Sequence, residues 1–371
     1  MASKVSYENK AYIKTVVTQH WKMEFLGSHA YWNDFQGKAT THAFMLYDKN
    51  DTIVVSFRDT ETFAAESWSS NVDLSWYEID GIGNIHAGFM KALGLLRVKD
   101  WPQDINNQTD NRPAALAYYA IREELREFIS RNNRAKSILT GHSLGDAVAI
   151  LFAAILAFHE ETELLERLEG VYTFGQPRVG DKKSAEFMTN KLKENAINYA
   201  RFVYSNDVVA RLPFDNSELM FKHFGQCLHF NSFYKAKVVA ELPNKNYFSP
   251  LAAIPIRINA VWQLARSFNL WRMKGKEYRE GGLMGVLRAI GLCQRYSPGN
   301  HPQQIVMTLP FRHSLLPTAL LGAAIDEDES SSSTTTPRKA ARRRSHKSSL
   351  SITAPERAAR RRSHQRGRVV A

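Results

Sequence analysis

Apolar and polar positions along this chain follow two periods, and each period marks out its own elements. Ala43-Phe-Met-Leu-Tyr47 and Thr52-Ile-Val-Val-Ser-Phe57 are apolar runs on either side of the turn-rich Asp48-Lys-Asn-Asp51, which predicts a hairpin. Residues 7–26 place Ala11, Ile13, Val16, Val17 and Trp21 at near-helical spacing, predicting a helix across the domain. Another helix is predicted to begin at His86. A third runs from Pro113, a residue suited to the first helical position, to about Asn132, with Ala115, Tyr118, Ile121, Leu125 and Ile129 inward. Beyond it, Ile138 to Thr140 reads as a strand. Asp146 to Phe158 is apolar on nearly every face, as in a helix buried on all sides. Gly170 to Phe174 and Tyr199 to Tyr204 read as strands separated by a helix over Lys182–Glu194. Strand, helix, strand at this spacing predicts a parallel sheet with crossover helices, an α/β core.

Between the strand at 138–140 and the buried helix lies Gly141-His-Ser-Leu-Gly145. A G-x-S-x-G in that setting is the pattern of a nucleophile elbow, a strained strand-to-helix turn that exposes the serine Oγ. Glycines flank Ser143 because a Cβ there would meet the neighbouring backbone. In such sheets ligands bind outside the carboxyl ends of the strands, so Ser143 and Asp207, each just past a strand, are expected on one rim. In α/β-hydrolases the order is serine, acid, histidine, which makes Asp207 the acid; its alternative is a turn or capping aspartate. The histidines that follow are His223, His229, His301, His313, His346 and His364. His223 and His229 sit among aromatics and read as core or sheet positions. His301 lies in Ser297-Pro-Gly-Asn-His-Pro302, where a base could swing over the serine, although a lone loop histidine is more often simply solvated.

Composition refines this picture at the C-terminus. The 371 residues are 44% hydrophobic and 11% aromatic, with a formal charge of +12. Residues 331–371 hold 12 Lys and Arg against the single acid Glu356, leaving 37 basic and 36 acidic residues in the nearly neutral body. Two copies of one unit, Pro337-Arg-Lys-Ala-Ala-Arg-Arg-Arg-Ser-His346 and Pro355-Glu-Arg-Ala-Ala-Arg-Arg-Arg-Ser-His364, follow a Ser/Thr run. Residues 323–371 are thus expected to be a disordered basic tail, a solvated extension that could also meet anionic lipid; nucleic acid is a weaker reading. Residues 249–295 alternate Ile254, Ile258, Trp262 and Trp271 with Arg257, Arg266 and Arg272, and read either as an amphipathic lipid-facing insertion or as a helical hairpin packed on the domain. Cys227 and Cys293 allow one bridge at most and offer no metal spacing. The N-terminus shows no secretory h-region.

The motifs Phe57-Arg-Asp-Thr60, His86-Ala-Gly-Phe89, Gly141-His-Ser-Leu-Gly145, Phe174-Gly-Gln-Pro-Arg-Val-Gly180 and Tyr204-Ser-Asn-Asp-Val-Val-Ala-Arg-Leu-Pro213 occur in order. Through them the chain resembles class 3 (fungal-lipase-like) triacylglycerol lipases. Tyr7-Glu-Asn-Lys-Ala, His20-Trp-Lys-Met, Lys222-His-Phe-Gly and Tyr278-Arg-Glu-Gly281 make the plant oil-body members the nearest in look. The resemblance implies an α/β-hydrolase domain over 1–322, a triad of Ser143, Asp207 and His301, an oxyanion hole from Thr60 and Leu144, a lid around Phe63 and Trp68, and no cofactor or metal. It implies hydrolysis of acylglycerols at a lipid–water interface, on a lipid droplet or intracellular membrane surface facing the cytosol. Asp59 and Asp146 stand where the family pattern has glycine, and Ala210, a milder change, where it usually has proline; Asp59 is expected to oppose the charge that forms at the oxyanion hole, while Asp146 suits the helix dipole but is expected to bring charge and bulk near Ser143. The competing expectation is therefore a lipase-fold protein with impaired catalysis that serves as a lipid-surface binding or interaction module.

Overall fold

Short runs of β-branched and aromatic residues lie side by side in the middle of the sheet, where both faces are covered and strict alternation is not required. The computed structural model describes residues 1–58, 75–95, 113–213, 220–231 and 235–243, with helical positions 254, 255, 258, 259 and 262. The strands are β1 (Glu24–Asn33), β2 (Lys38–Tyr47), β3 (Thr52–Arg58), β4 (Trp76–Ile79), β5 (Gly83–His86), β6 (Lys136–Thr140), β7 (Leu168–Phe174), β8 (Asn198–Tyr204), β9 (Gln226–Phe230) and β10 (Ala236–Val239). Among the described residues, eight of them form one sheet in the order β1-β2-β3-β6-β7-β8-β9-β10, and β4 pairs with β5 separately. Neighbours from β3 to β9 run parallel, whereas β1, β2 and β10 are antiparallel additions at the edges.

Helices cover both faces. They are α1 (Ala2–Val5), α2 (Lys10–Thr15), α3 (Ala87–Leu93), α4 (Ala117–Arg131), α5 (Leu144–Phe158), α6 (Thr162–Arg167) and α7 (Lys182–Glu194). Every residue of α5 from Leu144 to Ala157 is buried, as its all-round apolar pattern predicts. It packs with α3 and α4 against Ile53, Val55, Phe57, Leu139 and Val171 in the main core. The opposite face carries Ile138, Tyr172, Phe174, Phe202 and Phe230; Phe174 stacks on Phe202 at 4.9 Å between ring centroids. Burial of each such side chain contributes about 1.5–3 kcal/mol.

The predicted hairpin, β6, α5, β7, α7 and β8 follow the sequence expectation; β1, β4, β5 and α6 are not foreseen in it, and two predicted helices differ. The predicted helix over 7–26 is broken. The Asn9 side chain caps α2 by accepting from Tyr12 N–H at 2.9 Å, a π turn covers Val16–His20, and Lys22 turns the chain with φ 57° into β1. The helix expected from Pro113 starts at Ala117. Trp32 of β1 donates its N–H to Ala115 O at 2.8 Å and bridges Leu116, which holds that stretch extended. The 323–371 tail, most of the 249–295 insertion, Cys293, and the site positions Asp59, Thr60, Phe63, Trp68 and His301 lie outside the described residues. Cys227 is a free, buried thiol of β9.

Candidate active site

Ser143 sits where β6 turns into α5, and its backbone adopts φ 58°, ψ −120°. A positive φ is costly for any residue with a Cβ, of order 1–3 kcal/mol, and persists only where the surroundings enforce it. The two glycines show how it is enforced. A Cβ on Gly141 would lie 2.4 Å from the carbonyl carbon of Gly145, and one on Gly145 would lie 2.5 Å from Phe57 O of β3. The elbow is therefore pressed against both its own helix and the end of β3, and only glycine allows it. Ser143 N–H donates to Phe174 O at 3.1 Å, tying the turn to β7. Leu144, the first residue of α5, has one of the leading N–H groups that find no acceptor inside a helix, and the positive dipole end lies with it.

Asp207 leaves the end of β8, with β7 between it and the β6 that carries Ser143, so both emerge at the carboxyl rim of the parallel strands. It is buried; its N–H donates to Tyr204 O at 3.0 Å, and its Oδ1 accepts from Val209 N–H at 2.9 Å. The loop around it is braced from the adjoining segment. His229 Nε2 donates to Ser205 O at 2.8 Å and His223 Nε2 to Ala210 O at 2.6 Å. Burial holds both imidazoles below the usual histidine range, with Arg201 and Arg178 adding to the effect at His223 and Arg211 at His229. Both are thus packed, neutral groups of the acid loop, the core or sheet roles read from the sequence. From the insertion, Asn259 Nδ2 donates to Ser205 Oγ at 3.2 Å.

Asp146 lies in the first turn of α5, close enough to the elbow for its carboxyl to feel the Ser143 N–H. The side chain, fully buried, turns to the end of β7, where Oδ2 accepts from Phe174 N–H at 2.6 Å. Oδ1 is buried and has no hydrogen-bond partner among the described residues. Burial pushes this carboxyl well above the usual carboxylate range; the Phe174 N–H opposes the shift and the nearby Asp207 charge reinforces it. This carboxyl ties the first turn of α5 to the end of β7.

The elbow also has a partner that sequence reasoning left without a role. Tyr7 Oη shares a hydrogen bond of 2.8 Å with His142 Nδ1, and the rings meet edge to face at 5.5 Å. Tyr7 lies in the turn between α1 and α2, and no local pattern in the sequence predicts this bond, because its partner is 135 positions away.

The family model of class 3 lipases matches residues 54–217, a span that includes β3, the elbow and Asp207. Residues 54–217 are thus similar to the class 3 lipases. Triacylglycerol lipase OBL1 of Nicotiana tabacum is 39% identical over 79% of this chain, and the protein of the same name from Ricinus communis is 36% identical over 82%. These alignments cover 61% and 63% of those relatives, so the chain spans about three-fifths of their length. Among solved structures, the Rhizomucor miehei triacylglyceride lipase superposes with a TM-score of 0.50 at 21% identity, covering 67% of this chain and 86% of that one. The fold is that of the α/β-hydrolases, with a mostly parallel central sheet.

Proposed function

We propose that this chain is a serine-dependent lipase that hydrolyses the carboxylic ester bonds of acylglycerols at a lipid surface and releases fatty acids. The observation that carries the reading is the backbone of Ser143, held at positive φ between β6 and a buried helix within the segment similar to the class 3 lipases. In this reading His301 takes the proton of Ser143 Oγ as that oxygen attacks the ester carbonyl. The N–H groups of Leu144 and Thr60 hold the resulting oxyanion, each such donor typically worth about 3 kcal/mol. His301 then protonates the departing glycerol oxygen, Asp207 orients the imidazole, and water releases the acyl group by the same route in reverse. Phe63 and Trp68 belong to a lid over the site. The chemistry requires no metal or cofactor.

A lipid surface as partner is supported by the described part of the insertion. Ile254, Ile258 and Trp262 recur every four positions and are 61%, 66% and 54% exposed, an apolar stripe along one helical face. Asn259, on the same segment, reaches the acid loop, so the stripe lies near the rim of the site. No helix among the described residues is long and apolar enough to cross a membrane. We read the attachment as peripheral, through this stripe, to a lipid droplet or membrane surface on its cytosolic side, with the basic tail adding attraction to anionic lipid. Purified protein is expected to release oleate from emulsified triolein, and Ser143→Ala to release none. Equal release by both would overturn the assignment of the nucleophile.

A further inference from the structure

Tyr7 touches two parts of the proposed machinery that are far apart in sequence. Its hydroxyl bonds His142 Nδ1 at 2.8 Å and lies 3.3 Å from the His142 carbonyl, which belongs to the peptide joined to Ser143. The guanidinium of Arg58, the last residue of β3, lies over the Tyr7 ring at 5.9 Å. Its Nη1 donates to the carbonyls of Ser6 at 2.9 Å and Glu8 at 3.3 Å, on either side of Tyr7. Arg58 stands two positions before Thr60 in sequence. The same segment is pinned at its start, where the buried Ser3 Oγ shares a 2.7 Å bond with Thr140 Oγ1 at the end of β6.

We infer that Tyr7 is a positioning residue that holds the elbow, through His142, in register with the end of β3, through Arg58, so that the Leu144 N–H of the proposed oxyanion hole keeps a fixed place relative to that strand end. Its hydroxyl acts on the peptide that leads into Ser143, and its ring supports the cation that ends β3. A shift of a few tenths of an ångström in such a donor matters most in the transition state, when the carbonyl oxygen gains full charge, and least for substrate binding.

The inference rests on the lipase reading, and its test separates the two. In the full chain, Tyr7→Phe keeps the ring under Arg58 and removes only the hydroxyl. We expect kcat on a soluble p-nitrophenyl ester to fall about fivefold, the rate equivalent of one neutral hydrogen bond, with KM unchanged. Phosphonylation of Ser143 by a p-nitrophenyl alkylphosphonate should slow by the same factor. Ser3→Ala, which removes a hydrogen bond from the same segment but not from the elbow, should lower the melting temperature and leave kcat as in wild type. Unchanged kcat and phosphonylation in Tyr7→Phe, or an equal kcat loss in Ser3→Ala, overturns the positioning role while the lipase reading stands. Absence of Ser143-dependent turnover in wild type removes that reading and this one with it.

Discussion

The carboxyl of Asp146 accepts the Phe174 N–H at 2.6 Å, and the Phe174 carbonyl accepts the Ser143 N–H at 3.1 Å, so one residue of β7 links the helix to the serine from beneath. Burial keeps the folded-state carboxyl protonated to a pH well above the value of about 3.9 that it has in the unfolded chain. Between those two values unfolding releases a proton, so stability falls as pH rises from about 4. Asparagine keeps the acceptor for Phe174 N–H and ionises in neither state. Asp146→Asn should therefore gain melting temperature over wild type progressively from pH 4 to pH 8. A difference between the two proteins that is constant over that range would mean that Asp146 is ionised in the fold.

Ser143 carries strain that its neighbours enforce, and the strain is separable from its chemistry. Glycine relieves a positive φ and alanine does not. Ser143→Gly should be more stable than Ser143→Ala by about 1 kcal/mol in urea unfolding, with both proteins silent on triolein. Equal stabilities would show that the elbow relaxes once the hydroxyl is gone, and that φ 58° is not imposed by the packing of Gly141 and Gly145.

Much of this framework is legible in the chain because it is local. β3, β6, β7 and β8 are apolar runs of strand length, α5 is apolar on every face, and the glycines of the elbow sit at fixed offsets from Ser143. β1 was hidden for a physical reason: it is an edge strand with register shifts at Phe25/Gly27 and Tyr31/Trp32, so its burial never alternates cleanly. The orientation of Asp146 was hidden for another. Sequence shows a carboxylate after the glycine, but its distance from Ser143, its burial and its bond to Phe174 come from β7, 28 positions on. Tyr7 and Asn259 share that property, since their partners at the site lie 135 and 54 positions away.

The acid loop should weaken in acid. His223 donates from Nε2 to Ala210 O, while its buried Nδ1 has no hydrogen-bond partner among the described residues to take a second proton. Its folded-state pKa is lowered well below the unfolded value of about 6.5. Below pH 6.5 the unfolded chain binds a proton that the folded one refuses, and stability is lost as pH falls through that window, by up to about 1.4 kcal/mol per pH unit. His223→Gln, whose amide can still donate to Ala210 O, should flatten the fall in stability between pH 6.5 and 5 measured by urea unfolding. An unchanged slope would assign the acid sensitivity elsewhere.

Ile258 and Trp262 should matter to oil and not to dissolved ester. A lipase must first partition onto an emulsion, and each large apolar side chain taken out of water on docking is worth about 2 kcal/mol at most, so removing one can cost tenfold or more in surface-bound enzyme. A soluble short-chain ester reaches Ser143 without that step. Ile258→Ser with Trp262→Ser should thus lower triolein hydrolysis about tenfold and leave p-nitrophenyl butyrate hydrolysis within twofold of wild type. The neighbouring Asn259 provides the contrast, because its bond to Ser205 Oγ braces the loop that carries Asp207. Asn259→Ala should lower both activities by the same factor. If the serine pair also lowers both equally, the stripe supports the acid loop from within the fold, and docking onto lipid has to be assigned to another part of the chain.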